Sequence, residues 1–263
     1  VYTITESGSV ANVENDPVAT RTVTVTVSDN GNGTLNVQKT EGANGLTFTN
    51  KYVEGETTLG VTKVLSGRGF KAGDAWTFTL AGGTVDTPMP AQTSVTTTAT
   101  SGNSQSLTFG KIKYGLADVG KTYTYTITES GSREGVTNDP NNTRTVTVKV
   151  EKGSDGNLVV TKTEPTGGVS FTNTYSAAGE TELKAEKQLV GREFREGDKW
   201  TFTVTCDTQG APLPEHPVIT TSATSGNSET LDFGKINYTL ADVGTYVYTI
   251  TESGSVANVE NDP

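Results

Sequence analysis

Residues 123–129 read Tyr-Thr-Tyr-Thr-Ile-Thr-Glu, large side chains alternating strictly with threonine and ending on a carboxylate. Successive side chains of a strand point to opposite faces, so Tyr123, Tyr125, Ile127 and Glu129 share one face and the threonines the other. The same period runs through 58–65, 76–80, 144–150, 158–163 and 169–175, and shorter strands are expected at 94–97 and 106–109. Turn signals separate these runs: Asp155-Gly156, the Asn/Gly run at 30–33, and Asn44-Gly45. No stretch holds a helical period for more than a turn or two. Many short alternating strands between turns predict an all-β chain of antiparallel, immunoglobulin-like β-sandwich domains.

The chain repeats itself. YTITESGSVANVENDP at 2–17 returns letter for letter at 248–263, and YTITESGS at 2–9 returns at 125–132. LSGRGFKAGDAWTFTL at 65–80 matches LVGREFREGDKWTFTV at 189–204. LTFTN at 46–50 matches VSFTN at 169–173. The spacing from Tyr2 to Tyr125 sets a tandem unit of about 123 residues. Short linkers, VEGE at 53–56 and SAAGE at 176–180, divide the chain. Residues 54–177 are then one complete repeat, 1–53 the C-terminal half of a repeat, and 178–263 the N-terminal half of another. Either half alone exposes the face of a core, so the chain reads as part of a longer array or as chains that complete one another.

Composition excludes most functions. Thirty acidic against 20 basic residues give a net charge of −10, which leaves no cationic excess for nucleic acid or anionic lipid. One cysteine, Cys206, and one histidine, His216, exclude an internal disulfide, a Cys/His zinc site and a Ser-His-Asp set beyond the reach of His216. No apolar run reaches membrane-spanning length, so no membrane insertion is expected. The sequence at 29–33 (DNGNG) is similar to a calcium loop but lacks the closing bidentate Glu, and reads better as a hairpin turn. No metal, no cofactor and no turnover of an external substrate are expected.

Against this background three polar residues fall in phase with the core. The inward set of the first strand is Leu59, Val61, Lys63, Leu65; Glu129 closes the set at 123–129; Asn173 sits between Phe171 and Tyr175. The partial copies repeat the pattern: Lys187 follows Leu183 and Ala185, Glu252 follows Tyr246, Tyr248 and Ile250, Glu6 follows Tyr2 and Ile4, and Asn50 lies between Phe48 and Tyr52. Lys184 is out of phase. Burial disfavours the charged forms of an amine and a carboxyl group, leaving a nucleophilic amine and an acid able to polarise a carbonyl. The chemistry available is attack of the Lys63 amine on the Asn173 carboxamide, with Glu129 moving protons and ammonia leaving. Glu129, Glu6 and Glu252 are thus the candidate catalytic residues, and Lys63, Asn173, Lys187 and Asn50 the candidate cross-linking ones. The plainer reading is a Lys63–Glu129 ion pair at a sheet edge with Asn173 in a turn; the in-phase recurrence of all three argues against it. Asn50 has no lysine upstream and Lys187 no asparagine downstream, so a cross-link there is expected to reach other molecules or other residues.

VTK at 61–63, YTITE at 125–129 and FTN at 171–173, with the phrases WTFTL, LADVG and FTNTY, resemble the isopeptide-linked domains of Gram-positive backbone pilins. The streptococcal pilin isopeptide linkage type, related to the B-type repeats of collagen adhesins, is the nearest in pattern. The resemblance spans the whole chain once the repeat is permuted. It implies a pilin-type sandwich whose matching Lys, Glu and Asn form a spontaneous intramolecular amide in a single turnover. It further implies a stalk or fibre segment of a surface adhesin, extracellular and anchored to a Gram-positive cell wall. Expected partners are neighbouring identical repeats, and a host surface ligand held by a tip domain outside this chain. Two alternatives are a pilin shaft polymerised by sortase and a host-ligand-binding adhesin module. No sorting signal or pilin-motif lysine is read in these residues.

Overall fold

A computed structural model describes residues 1–262 of the chain; Pro263, the last residue of the third expected segment, lies outside the described residues. Alternation becomes strand throughout, and the helical elements among the described residues are two three-residue 3-10 turns, Leu116–Asp118 and Leu240–Asp242. Two compact units result: Val1–Arg133 with Asn138–Asn173, and Glu134–Thr137 with the chain from Thr174 onward.

In the first unit, five strands order as Leu158–Thr163, Thr143–Lys152, Thr122–Ser130, Thr77–Gly82 and Ser94–Thr96, each antiparallel to its neighbour. A second sheet sets Gly55–Ser66 between Ser170–Tyr175 and Ser104–Tyr114. The first and last strands of the repeat are therefore direct neighbours. The strand expected at 106–109 runs much longer, over Ser104–Tyr114, because pairing with Gly55–Ser66 continues past its apolar run through an irregularity between Thr58 and Gly60. Gly60 is required there: a Cβ would stand 2.9 Å from the Leu107 carbonyl oxygen.

The inward faces meet as alternation dictates. Leu59, Val61, Leu65, Phe109, Ile112 and Phe171 are buried from one sheet, and Phe78, Leu80, Tyr125, Ile127, Val146, Val148 and Val150 from the other. Phe78 and Phe171 touch across the interior with ring centroids 5.2 Å apart. The buried phenol ends are satisfied: Tyr125 Oη donates to the Pro88 carbonyl at 2.8 Å and lies 2.8 Å from Tyr114 Oη. This is the immunoglobulin-like sandwich. The loop after the first strand is tied by Arg68, which holds Asp74 through both guanidinium nitrogens at 2.5 and 3.1 Å; Arg192 and Asp198 repeat the clip at 2.6 and 3.0 Å.

Residues 1–53 form a three-stranded sheet of Tyr2–Thr5, Thr20–Asp29 and Leu35–Glu41. Their inward side chains meet no second sheet: Tyr2 is 66% and Ile4 45% exposed, against 0% for their counterparts Tyr125 and Ile127. This segment joins the complete repeat in one compact unit. Asn12 Oδ1 accepts the Leu116 N–H at 3.0 Å, Lys51 Nζ donates to the Asp155 carbonyl at 3.0 Å, and Glu14 pairs with Lys152. These contacts join residues 104 to 138 apart in sequence, a pairing that no strand period encodes.

In the second unit, Ala178–Gln188 pairs with Ser228–Thr239, and Val218–Thr220, Thr201–Cys206 and Tyr248–Ser253 form another sheet. Leu189, Phe194, Trp200, Phe202, Val204, Leu231 and Phe233 make its core. No helix among the described residues is long and apolar enough to cross a membrane.

The Phe78→Ala substitution is expected to lower the stability of the complete repeat by about 3–5 kcal/mol through lost burial and a cavity. Thr79→Ala, one residue on and facing out, is expected to change it by less than about 0.5 kcal/mol. Urea unfolding of the two variants measures the difference, and equal costs would contradict the assigned faces.

Candidate functional site

Lys63, Glu129 and Asn173 come from three strands and converge in the interior of the complete repeat, at 0%, 4% and 0% exposure. Lys63 Nζ lies 2.7 Å from Glu129 Oε1. Asn173 Nδ2 donates to that same oxygen at 3.3 Å. One carboxylate oxygen thus bridges an amine and an amide nitrogen. Lys63 Nζ also donates to the Phe171 carbonyl at 3.4 Å and stands 5.1 Å from the centre of the Trp76 ring. Burial pushes the Lys63 amine below its ordinary value, against the opposing pull of Glu129 and Asp139.

The orientation of the Asn173 carboxamide is fixed by its partners. Oδ1 accepts the Asp139 backbone N–H at 2.8 Å, and a backbone N–H can only donate. Nδ2 donates to Asn138 Oδ1 at 2.9 Å as well as to Glu129. The Asp139 carboxylate in turn accepts Arg144 Nη2 at 2.8 Å and the Thr172 N–H at 2.9 Å, while the Arg144 guanidinium lies 4.5 Å over the Phe171 ring. Although burial opposes it, the N–H donors of Thr172 and Asn141 and the Arg144 charge hold the Asp139 carboxyl below the usual range. Asn138 and Asp139 escaped the strand reading because they lie in a loop, while Arg144 opens the strand expected at 144–150, in phase with Val146, Val148 and Val150, and was not singled out as a site residue. A further signal was recurrence in the repeat: Asn15, Asp16 and Arg21 stand at the same places.

The partial copies hold incomplete versions of this site. In residues 1–53, Asn50 Nδ2 donates to Glu6 Oε1 at 2.6 Å and Asn50 Oδ1 accepts the Asp16 N–H at 2.9 Å. Glu6 Oε2 is buried with no hydrogen-bond partner among the described residues. In the second unit Lys187 Nζ lies 2.7 Å from Glu252 Oε1 and 4.8 Å from the Trp200 ring centre, with Lys187 itself buried. Beside that pair runs an open groove of about 1420 Å³, lined in part by Leu189, Phe202, Ile250 and Asn261. Lys184, out of phase, lies at the surface with Glu182 and Asp232.

Other candidates resolve simply. The run at 29–33 is a hairpin turn in which Asp29 Oδ1 accepts the Gly31 N–H at 2.8 Å. Among the described residues no group of His, Cys, Asp and Glu is arranged to hold a metal ion.

The chain matches the family of Spy0128-like isopeptide containing domains (FctA) over residues 1–53, 59–176 and 183–263. Among solved structures it is similar to the major pilin from Streptococcus pyogenes at 16% identity, covering 75% of this chain and 82% of that one with a TM-score of 0.28. The T-13 major pilin from Streptococcus pyogenes is 19% identical over 77% and 83% of the two chains, with a TM-score of 0.34. A variant of the shaft pilin of Lactobacillus rhamnosus GG is 13% identical over 77% and 90%, with a TM-score of 0.22. No curated protein matches the chain.

The depressed Lys63 value has a consequence for stability. Asn173→Ala leaves the amine buried beside Glu129 with no amide to attack. Between the depressed value and the ordinary 10.5, the unfolded chain binds a proton that the folded chain has shed, so stability rises with pH across that window. Below the window the full cost of burying the charge is present. Urea midpoints of Asn173→Ala are expected to climb with alkaline pH relative to those of Lys63→Met with Asn173→Ala, whose buried tyrosines, raised above the ordinary 10.0, only lower stability as pH passes that value.

Proposed function

The chain belongs to the family of Spy0128-like isopeptide containing domains, and from that premise we propose that it is a load-bearing segment of a pilus or surface fibre. Its complete repeat closes by an amide bond between Lys63 and Asn173. The observation that carries this reading is the single Glu129 oxygen lying 2.7 Å from the lysine nitrogen and 3.3 Å from the asparagine nitrogen, with all three residues buried. Loss of the Lys63 proton to Glu129 yields the nucleophile. Addition to Asn173 Cγ and expulsion of Nδ2 as ammonia make a new amide and consume nothing else. The centre reacts once and is not an enzyme in the ordinary sense.

The placement of the bond fits a mechanical role. It joins the first and last strands of the repeat, which neighbour each other in one sheet. Tension entering at one end of the repeat then passes across the bond to the other, and the residues between 63 and 173 bear none of it. By the chain-entropy argument used for disulfides, closing a loop of about 110 residues also removes unfolded-state freedom equivalent to about 4–5 kcal/mol. The family points to the outer surface of a Gram-positive cell. The role of stalk in an adhesin, anchorage to the wall and a host ligand at a tip are finer readings of the same proposal. Lys187 with Glu252, and Asn50 with Glu6, are the corresponding half-sites, each awaiting the group that the complete repeat supplies.

The intact mass of the chain is expected to fall short of the sequence mass by one ammonia, and Glu129→Ala to show the full sequence mass. In single-molecule stretching, the unmodified chain is expected to give no extension from residues 63–173, which Glu129→Ala releases. A full sequence mass for the unmodified chain would sink the proposal.

A further inference from the structure

The amide to be attacked presents its nitrogen, not its oxygen, to Glu129. Polarising the carbonyl therefore falls to another group, and the group in place is the Asp139 backbone N–H, 2.8 Å from Asn173 Oδ1. The nitrogen that must leave is gripped from its far side by Asn138 Oδ1 at 2.9 Å. Asn138 is itself held so that it presents oxygen: its Nδ2 donates to the Gly131 carbonyl at 2.6 Å, and its Oδ1 also accepts Trp76 Nε1 at 3.3 Å. Gly131 has a φ of 117°, a region open to glycine, and a Cβ there would stand 3.0 Å from the Ala75 carbonyl oxygen.

The arrangement recurs where the reaction has only half its parts. Asn15 Nδ2 donates to the Gly8 carbonyl at 2.7 Å while the Asp16 N–H meets Asn50 Oδ1 at 2.9 Å. In the second unit Asn261 Nδ2 donates to the Gly254 carbonyl at 2.7 Å and its Oδ1 accepts Trp200 Nε1 at 3.0 Å. The turn is preset whether or not an amine and an amide both face it.

We propose that the Asp139 N–H and Asn138 are catalytic groups for cross-linking: the N–H donates to the oxyanion and Asn138 holds the departing nitrogen against Glu129. This rests on the Lys63–Asn173 reading. As the Lys63 nitrogen bonds to Asn173 Cγ, the carbonyl electron pair moves onto Oδ1, where the N–H is already aimed. Glu129, already carrying the first Lys63 proton, gives it to Nδ2, and the freed carboxylate then takes a second proton from the former amine, so that Glu129 ends protonated. The C–Nδ2 bond then breaks and ammonia departs, leaving one hydrogen on the new amide nitrogen. Without Asn138 the leaving nitrogen loses its shorter acceptor contact and is held by the Glu129 oxygen at 3.3 Å alone. The Asp139 carboxylate and Arg144 act as positioning groups, fixing the turn from which the N–H points.

The test follows bond formation in the full chain by intact mass after a short pulse of cell-free synthesis. Replacing Asp139 by its α-hydroxy analogue, which exchanges only the N–H for oxygen, is expected to slow the loss of ammonia by about a hundredfold. Asn138→Leu, similar in size but without an acceptor, is expected to slow it by about a hundredfold, and Asn138→Asp, which keeps an acceptor oxygen, by far less. Urea unfolding of each change in the Asn173→Ala background checks that rates are read where the repeat is folded, since a merely structural role would move that midpoint and leave the rate alone. Unchanged rates in the α-hydroxy and Asn138→Leu chains overturn the proposal while the bond itself stands. Absence of ammonia loss from the unmodified chain removes the underlying reading and this one with it.

Discussion

An amine sealed inside a sandwich must find its hydrogen bonds there or leave the repeat unstable. Lys63 is fully buried, and everything around it answers that demand: Glu129 takes its proton or its charge, the Phe171 carbonyl accepts a second bond, and the Trp76 face covers a third side. The desolvation that makes the lysine costly is also what makes it reactive, since the neutral form is both the cheaper one to bury and the nucleophile. Removing one partner from such a group leaves the rest with an unpaired polar atom, at a cost of several kcal/mol for a charge. The centre is therefore interdependent, and a covalent bond between Lys63 and Asn173 would replace the buried amine by a neutral amide that can still hydrogen-bond Glu129 and the Asp139 N–H.

Strand positions were legible because alternation is a direct consequence of backbone geometry. Tyr123, Tyr125, Ile127 and Glu129 share a buried face in the structure as their spacing requires, and Leu59, Val61, Lys63 and Leu65 likewise. The polar members of those sets were visible as interruptions of an otherwise apolar series. What alternation does not carry is anything held by loops. Asn138 and Asp139 act through a turn, and Asp139 through a backbone N–H that every residue but proline possesses. Arg68 and Asp74 are six apart in a loop and look like ordinary surface charges until the chain doubles back to pair them. Three polar contacts between residues 1–53 and the complete repeat come from loops and strand ends, none of which has a period.

Under the proposed cross-link, topology turns a local reaction into a property of the whole repeat. Neighbouring first and last strands mean that a bond between Lys63 and Asn173 spans the smallest distance in space and nearly the largest in sequence. A link between sequence neighbours would leave most of the sandwich exposed to extension and remove little unfolded-state freedom. The same three residues on adjacent strands of one hairpin would be chemically equivalent and mechanically idle. Chemistry and topology thus select the same pair of strands.

The half-sites sharpen the point about preorganisation. In residues 1–53 the amide is already oriented: the Asp16 N–H holds its oxygen and Glu6 its nitrogen, although no lysine amine pairs with Glu6 among the described residues. The price of that readiness is visible in Glu6 Oε2, buried and without a partner. In the second unit Lys187 and Glu252 have met although, among the described residues, no side-chain amide is hydrogen-bonded to either. Neither half needs the other in order to adopt its geometry, so the geometry belongs to the local turn and strand and is not induced by the reacting partner. A centre assembled this way does not wait for the reaction to arrange its dipoles. In the proposed cross-link, closure of the sandwich, which buries lysine and amide together, is the step that triggers it.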